Sequence, residues 1–113
     1  MTSMPFSWEV IGADDGPVIV LHGDVNSAAT AGFEAAHDQL AGLPGPIMLD
    51  FADTGYINST GIALIVGLLA KARAGHRPVA ARGLSDHYRE IFRITRLSDF
   101  MTIHDTDQAG RPA

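Results

Sequence analysis

The sequence contains no cysteine, and this absence excludes several kinds of chemistry. The 113-residue chain can form no disulfide, no thiolate metal site and no redox-sensing thiol. Long apolar runs are also missing, because the longest one, residues 62–70, is interrupted by Gly67 and is too short to span a bilayer. The N-terminus has no basic segment followed by an apolar one, so we predict neither a secretory signal nor membrane insertion. A cytoplasmic location is the resulting expectation.

Lysine and arginine are absent from residues 1–70, which contain eight acidic residues. All eight basic residues lie in residues 71–113, so the first part carries −8 and the second +3, within a net charge of −5. Such a division can produce a dipolar surface that steers a partner, or the two parts can average out in the folded domain. The acidic total argues against a nucleic-acid partner, since binding phosphates requires clustered cations.

Apolar patterning and turn residues predict alternating strands and helices. We predict strands at residues 8–11, 18–23, 47–51, 77–81 and 101–104. We predict helices from Asn26 or Ser27 to Leu40, from Ser59 to Ala74, and from a Ser85 cap to about Leu97. This alternation indicates an α/β fold with a mixed, mostly parallel sheet of four to five strands, in a single domain. The domain covers residues 1–113 with a core at about 6–104, and the tail 105–113, which lacks an apolar anchor, is predicted to be disordered.

The most informative segment is residues 47–69, which reads IMLDFADTGYINSTGIALIVGLL. A buried strand leads through a short acidic loop to Asn58-Ser59-Thr60-Gly61, where an apolar helix begins. Two hydroxyls therefore lie at the positive end of a helix, where unpaired N–H groups can accept an anion. A phosphate added there would change the local charge by about −1.5 to −2. Alternatively, Ser59 is a helix N-cap, a common role that stabilises by about 1 kcal/mol.

Small residues follow one side of this second helix: Gly61, Ala63, Gly67 and Ala70. Such a face can serve partner docking or close packing on the sheet, and we expect docking for Gly61 and Ala63 and packing for Gly67. Apolar spacing in the second and third helices predicts these core positions: Ile62, Ile65, Val66, Leu69, Tyr88, Ile91, Phe92 and Thr95.

No catalytic constellation is evident in the sequence. The five histidines lack ligand-type spacing, so we predict no metal site, and surface or strand-edge roles are expected for His22 and Asp24 beside Gly23. Ser59 lacks the Gly-x-Ser-x-Gly frame of a hydrolase, and no glycine-rich nucleotide loop occurs. We therefore expect a binding module without a cofactor rather than an enzyme. A small-ligand or nucleotide binder that uses the helix N-terminus is a further hypothesis.

The phrase LDFADTGYINSTGIALIVGLL resembles the signature of STAS domains, in particular the bacterial anti-sigma factor antagonists. In that family, a strand leads to Asp-Ser-Ser/Thr-Gly and an apolar helix. Upstream, residues 22–31 resemble the family's loop before its first helix. Downstream, residues 78–80, 84–85 and 94–97 resemble its closing segment, so the resemblance spans about residues 6–104.

The resemblance implies a partner-switching cycle. The unphosphorylated protein binds an anti-sigma factor, often a serine kinase of ATPase-type fold, and thereby frees a sigma factor. The kinase then phosphorylates the antagonist, the complex separates, and a serine phosphatase resets the switch. By position, the phosphorylated residue is Ser59, with Thr60 as the second candidate. The implied partner-binding residues are Asp24, Asn26, Ser27, Asp53, Tyr56, Ile57, Asn58, Thr60, Gly61, Ala63 and Leu64.

The sequence departs from the family pattern at two acids, which are replaced by Asn26 and Asn58. If the fold brings both loops together, the site has lost two carboxylates. This loss lowers repulsion toward an incoming phosphate and removes two charges that a kinase could recognise. An alternative function follows from it, namely a non-switching STAS scaffold or an accessory subunit of a transporter or signalling complex.

Overall fold

The computed structural model describes residues 4–12 and 14–104, so the tail 105–113, which the sequence predicts to be disordered, lies outside the described residues. The strands are β1 (Ser7–Ile11), β2 (Val18–Val25), β3 (Ile47–Ile57), β4 (Val79–Arg82) and β5 (Thr102–Ile103). The α-helices are α1 (Thr30–Leu40), α2 (Ser59–Ala74) and α3 (Asp86–Ile94), and 3-10 turns span Ser27–Ala29 and Leu97–Asp99.

The strands form one mixed sheet in the order β1-β2-β3-β4-β5. Among the described residues, β1 and β2 pair antiparallel, and the pairs β2–β3, β3–β4 and β4–β5 are parallel. The predicted mostly parallel α/β sheet is therefore confirmed. Parallel neighbours require crossovers, and α1, α2 and α3 supply them in turn. The carboxyl ends of β2 and β3 consequently lie side by side at one edge of the sheet.

The core lies between one face of the sheet and the helices. Alternate residues of β2, such as Ile19 and Leu21, are buried because successive side chains of a strand point to opposite faces. Phe51 of β3 packs edge-on against Phe92 of α3, with ring centroids 5.8 Å apart and an interplanar angle of 87°. Both rings are fully buried, so α3 is attached to the centre of the sheet by an aromatic pair.

β3 is longer than predicted, because it continues beyond Phe51 to Ile57. The predicted acidic loop is therefore strand: Asp53 pairs with His22, and Ile57 pairs with Val25. Two register shifts accompany this pairing, which explains why the segment has no clean strand pattern.

The other boundaries differ by a few residues. β4 begins at Val79 rather than residue 77, because Pro78 has no N–H to donate to a strand ladder. The Arg77 side chain donates hydrogen bonds to three backbone carbonyls, those of Leu40, Leu43 and Gly45. The third helix ends at Ile94 rather than about Leu97.

Two predicted core positions are wrong. Val66 is 45% exposed, and Thr95, at the C-cap of α3, is also exposed, with its hydroxyl donating to the Ile91 carbonyl. The expectations for the two helical glycines are reversed as well. Gly61 is buried against the backbone of β2, whereas a Cβ at Gly67 would have nothing within 4 Å.

These two glycines give a matched pair of stability predictions. Gly67→Ala should raise the free energy of unfolding by about 0.5–1 kcal/mol, since alanine lowers the entropy cost of the helix and the space is open. Gly61→Ala should lower it by about 1–3 kcal/mol, because its Cβ would overlap the Val25 carbonyl oxygen. Urea unfolding of both variants checks this, and equal shifts would contradict the packing described here.

Candidate partner-binding site

The candidate site lies where β2 and β3 end and α2 begins. Val25 pairs with Ile57 at the end of the parallel ladder, and the Asn58 N–H donates to the Val25 carbonyl at 3.2 Å. The loop after β2 and the start of α2 are therefore neighbours, as the resemblance implied.

The N-cap of α2 is Asn58. Its backbone is extended, and its side-chain oxygen accepts a hydrogen bond from the Gly61 N–H at 2.9 Å. Ser59 is the first residue inside the helix, so its alternative interpretation as the N-cap is wrong. Asparagine satisfies one orphan N–H of the first turn, as serine would have done.

Because the Asn58 side chain caps α2, the hydroxyls of Ser59 and Thr60 are not needed for capping. Both residues are exposed, and neither hydroxyl makes a hydrogen bond within the described part of the chain. Their backbone N–H groups precede the first intrahelical bond, which Ile62 donates to the Asn58 carbonyl. An exposed hydroxyl therefore lies beside unpaired donors at the positive end of a sixteen-residue helix.

The second asparagine, Asn26, is also a cap. Its side-chain oxygen accepts from the Ala28 N–H at 3.0 Å, which begins the 3-10 turn before α1. Ser27 is exposed, and its carbonyl accepts from the Thr30 hydroxyl. Both positions that depart from the family pattern thus keep a capping oxygen but contribute no charge.

The Asp24 carboxylate connects two segments beside the site through hydrogen bonds to backbone N–H groups. One carboxylate oxygen accepts from the Tyr56 N–H at 2.9 Å, and the other accepts from the Met4 N–H at 3.2 Å. Met4 returns a bond, since its carbonyl accepts from the Asp24 N–H at 3.0 Å. This predicted binding residue therefore joins the N-terminal segment to the end of β3.

Tyr88 of α3 is a site residue that sequence reasoning missed, because its helical spacing indicated only a core position. Its hydroxyl oxygen accepts from the Ile57 N–H at 2.9 Å. The bond joins residues 31 positions apart and fixes the backbone immediately before Asn58.

The predicted phosphorylation and contact residues fall into three groups according to their exposure to solvent. Exposed members, which we call the junction surface, are Ser27, Asp53, Tyr56, Asn58, Ser59, Thr60 and Ala63. Partly buried members are Asp24, Asn26 and Leu64. Ile57 and Gly61 are buried and pack inside the domain.

A small ionisable cluster lies on β1, β2 and β3 beside this surface. His22 Nδ1 is 2.6 Å from Asp53 Oδ2, and His22 Nε2 is 3.7 Å from Glu9 Oε1. The hydrogen bond to Asp53 raises the pKa of His22 above its ordinary value of 6.5, against a smaller lowering by desolvation, and the Glu9 charge also raises it. The cluster joins three strands through one imidazole.

Within residues 4–12 and 14–104, no group of three or more His, Asp or Glu side chains is arranged to hold a metal ion. No helix in the same ranges has both the length and the apolar character needed to cross a membrane.

The cap at Asn58 can be tested by substitution. Asn58→Ala should lower the free energy of unfolding by about 1 kcal/mol, because the Gly61 N–H loses its acceptor. Asn58→Asp should retain or exceed wild-type stability, because a carboxylate accepts the same bond and suits the helix dipole. Thermal and urea unfolding measure both, and an unchanged Asn58→Ala variant would contradict the assigned cap.

The His22 cluster predicts a specific pH dependence. Asp53→Asn should lower the pKa of His22, and Glu9→Gln should lower it less, because Asp53 provides the largest upward contribution. Since the folded pKa is raised, the stabilisation is complete below the unfolded pKa of about 6.5 and is lost as pH rises through the folded pKa. NMR titration of the His22 ring in the three proteins measures these shifts, and a larger effect of Glu9→Gln would contradict the order.

Comparison with known proteins gives a consistent result. A family model described as "Mlab, STAS domain" matches residues 9–103. The anti-sigma-B factor antagonist of Listeria monocytogenes is 31% identical over 61 residues, which are 54% of each protein, so the chain spans about half the length of this curated relative.

Two solved structures share the fold. An anti-sigma factor antagonist from Mycobacterium paratuberculosis is 20% identical with a TM-score of 0.73, covering 96% of this chain and 94% of that one. The anti-sigma factor antagonist SpoIIAA in its unphosphorylated form is 17% identical with a TM-score of 0.70, covering 91% and 92%. At these identities the likeness concerns the fold. Together with the family model, which covers most of the sequence, it shows that this chain belongs to the STAS domain family.

Proposed function

We propose that this protein is an anti-sigma factor antagonist that binds an anti-sigma factor through the junction surface and releases it when Ser59 is phosphorylated. The observation that carries the proposal is the unoccupied, exposed Ser59 hydroxyl in the first turn of α2. The antagonist named in Listeria monocytogenes and the solved antagonists of the same fold support the same role.

The chemistry of the first turn favours Ser59 as the phosphorylated residue. A kinase needs a hydroxyl that it can reach, and Ser59 is exposed, with no hydrogen bond from its hydroxyl to any other described residue. The phosphate formed there would lie near unpaired N–H groups and the positive end of the helix dipole. Thr60 shares the exposure and remains the second candidate.

The composition of the junction surface supports protein binding. Tyr56 is 78% exposed, an unusual position for a large aromatic side chain and one that is typical of interface anchors. Ala63 presents a small side chain on the exposed side of α2, which lets a partner approach the helix closely. A phosphate of about −1.5 to −2 charge in the middle of this surface would both obstruct the partner and require solvation.

The proposed partners follow from this role. The unphosphorylated form would bind an anti-sigma factor that is itself a serine kinase of ATPase-type fold, and a serine phosphatase would restore the free hydroxyl. The protein would act in the cytoplasm as a binding module rather than as an enzyme.

The proposal is tested with two baits in a quantitative pull-down from the native cell lysate. Ser59→Ala should retain the anti-sigma factor, while Ser59→Asp should reduce its recovery at least about tenfold, because a charge placed in an interface costs on the order of a few kcal/mol. Thr60→Asp tests the second candidate, and a loss of recovery confined to this variant would move the proposed switch from Ser59 to Thr60. Equal recovery by the two Ser59 variants would contradict the switch.

A second function is favoured by one observation. Both Asn26 and Asn58 stand where the family has acids, and each is engaged as a neutral cap. A kinase that recognises these acids would find none, so a non-switching STAS scaffold or an accessory subunit of a transporter or signalling complex is the alternative. Recovery of the same partners by the Ser59→Ala and Ser59→Asp baits, without a kinase among them, would favour this alternative.

A further inference from the structure

A pocket of about 360 Å³ opens at the end of β3, and Tyr56 of the junction surface is one of the residues that line it. We call it the tyrosine pocket. The residues that line it come from the N-terminal segment, β2, β3 and α3: Met4, Asp24, Gly55, Tyr56, His87 and Tyr88. Tyr88 also packs against the hydrophobic core of the domain.

The walls of the tyrosine pocket are held in place by hydrogen bonds already described. Tyr88 is fixed by its hydroxyl on the Ile57 N–H, and the His87 ring packs edge-on against it with centroids 4.9 Å apart. Asp24 bonds to Met4 on one side and to Tyr56 on the other. Gly55 keeps the floor open, because a Cβ there would overlap the Asp24 carboxylate. The side chains of Asp24 and Tyr88 and the backbone of Tyr56 are therefore held in place, while the Tyr56 ring itself is exposed.

The chemistry of the lining is complementary to a cation. The lining combines two tyrosine rings, a thioether, the His87 imidazole and one carboxylate, and none of the six lining residues is lysine or arginine. Within residues 4–12 and 14–104, the hydrogen bonds to Asp24 come from backbone N–H groups, and no lysine or arginine forms an ion pair with it. A carboxylate offers about four lone-pair sites, so Asp24 can accept further N–H donors.

From this complementarity we propose that the tyrosine pocket binds an arginine side chain of the protein partner. A guanidinium can stack on the exposed Tyr56 ring while its N–H groups reach the remaining lone pairs of Asp24. Arginine suits the pocket better than lysine, because its planar group stacks and donates in a fork. The identity of the partner rests on the proposed function, whereas the cation preference of the pocket does not.

The proposed contact would couple to the junction surface through the backbone. Tyr56 is the wall of the pocket and is also followed by Ile57 and Asn58, which lead directly into α2. An arginine in the pocket would therefore lie next to the segment that contains Ser59. The pocket would hold the partner through Asp24 and Tyr56, separately from the Ser59 hydroxyl that controls release.

The test is an NMR titration at pH 7.5 with N-acetyl-arginine amide, using N-acetyl-citrulline amide as a neutral probe of the same shape. We expect arginine to shift the Met4 methyl signal and the ring signals of Tyr56 and Tyr88 together. Citrulline should bind more weakly by about two- to fivefold or more, the factor that a cation–π contact at an exposed site is worth.

Two substitutions at Tyr56 provide the matched controls. Tyr56→Ala should weaken arginine binding by about two- to fivefold, while Tyr56→Phe should retain it, because phenylalanine keeps the ring face. The Tyr56 side chain is 78% exposed, so neither change should alter the melting temperature appreciably. Equal shifts from arginine and citrulline, or identical binding by wild type and Tyr56→Ala, would overturn the proposal.

A pull-down with the same variants separates this inference from the proposed function. If both hold, Tyr56→Ala should reduce recovery of the anti-sigma factor while Tyr56→Phe retains it. If no anti-sigma factor is recovered by any bait, the proposed function fails, and the arginine titration still decides the chemistry of the pocket. If the factor is recovered equally by both Tyr56 variants, the arginine contact and the role of Tyr56 as an anchor are overturned, and the rest of the junction surface is not affected by this result.

Discussion

The close approach of Val25 to the start of α2 is the constraint on which the rest of the site depends. The Val25 carbonyl accepts from the Asn58 N–H, and the Gly61 backbone lies against the same carbonyl. Only a residue without a Cβ fits there, so glycine in the first turn of α2 is a packing requirement. This contact places the helix N-terminus against the end of β2. It thereby sets Ser59 and Thr60 outward and brings both loops into one surface.

Much of the fold could be predicted from local patterns. Three local features have a physical cause that can be read from the sequence, and the structure contains the elements they indicate. They are the β-branched run of β2, the two prolines Pro44 and Pro46 between α1 and β3, and the Ser85 cap of α3. Distinguishing Asn58 from Ser59 as the cap was not possible from sequence, because both are good cap residues. The choice depends on where β3 ends, and its last residues pair with β2 through register shifts that leave no periodic pattern.

The candidate site was predictable to a smaller extent, because its residues act through contacts between distant segments. The motif correctly located the start of α2, whereas the acidic loop that it predicted is the last part of β3. It could not show that Asp24 is engaged by two backbone N–H groups or that Tyr88 contacts Ile57, since both arrangements depend on how β3 and α3 approach each other. Gly61 and Gly67 look equivalent in sequence, and only the neighbouring strand distinguishes the buried glycine from the exposed one.

The hydrogen bond from Ile57 to Tyr88 has a consequence for how a partner can attach. β4 ends at Arg82, opposite Asp50, so within residues 4–12 and 14–104 the last part of β3 has no neighbouring strand on that side. An outward N–H at a strand edge ordinarily invites an extended peptide to add itself to the sheet. At Ile57 that donor is already taken by the Tyr88 hydroxyl. A strand from another protein could therefore not use the Ile57 N–H to attach itself to this end of β3.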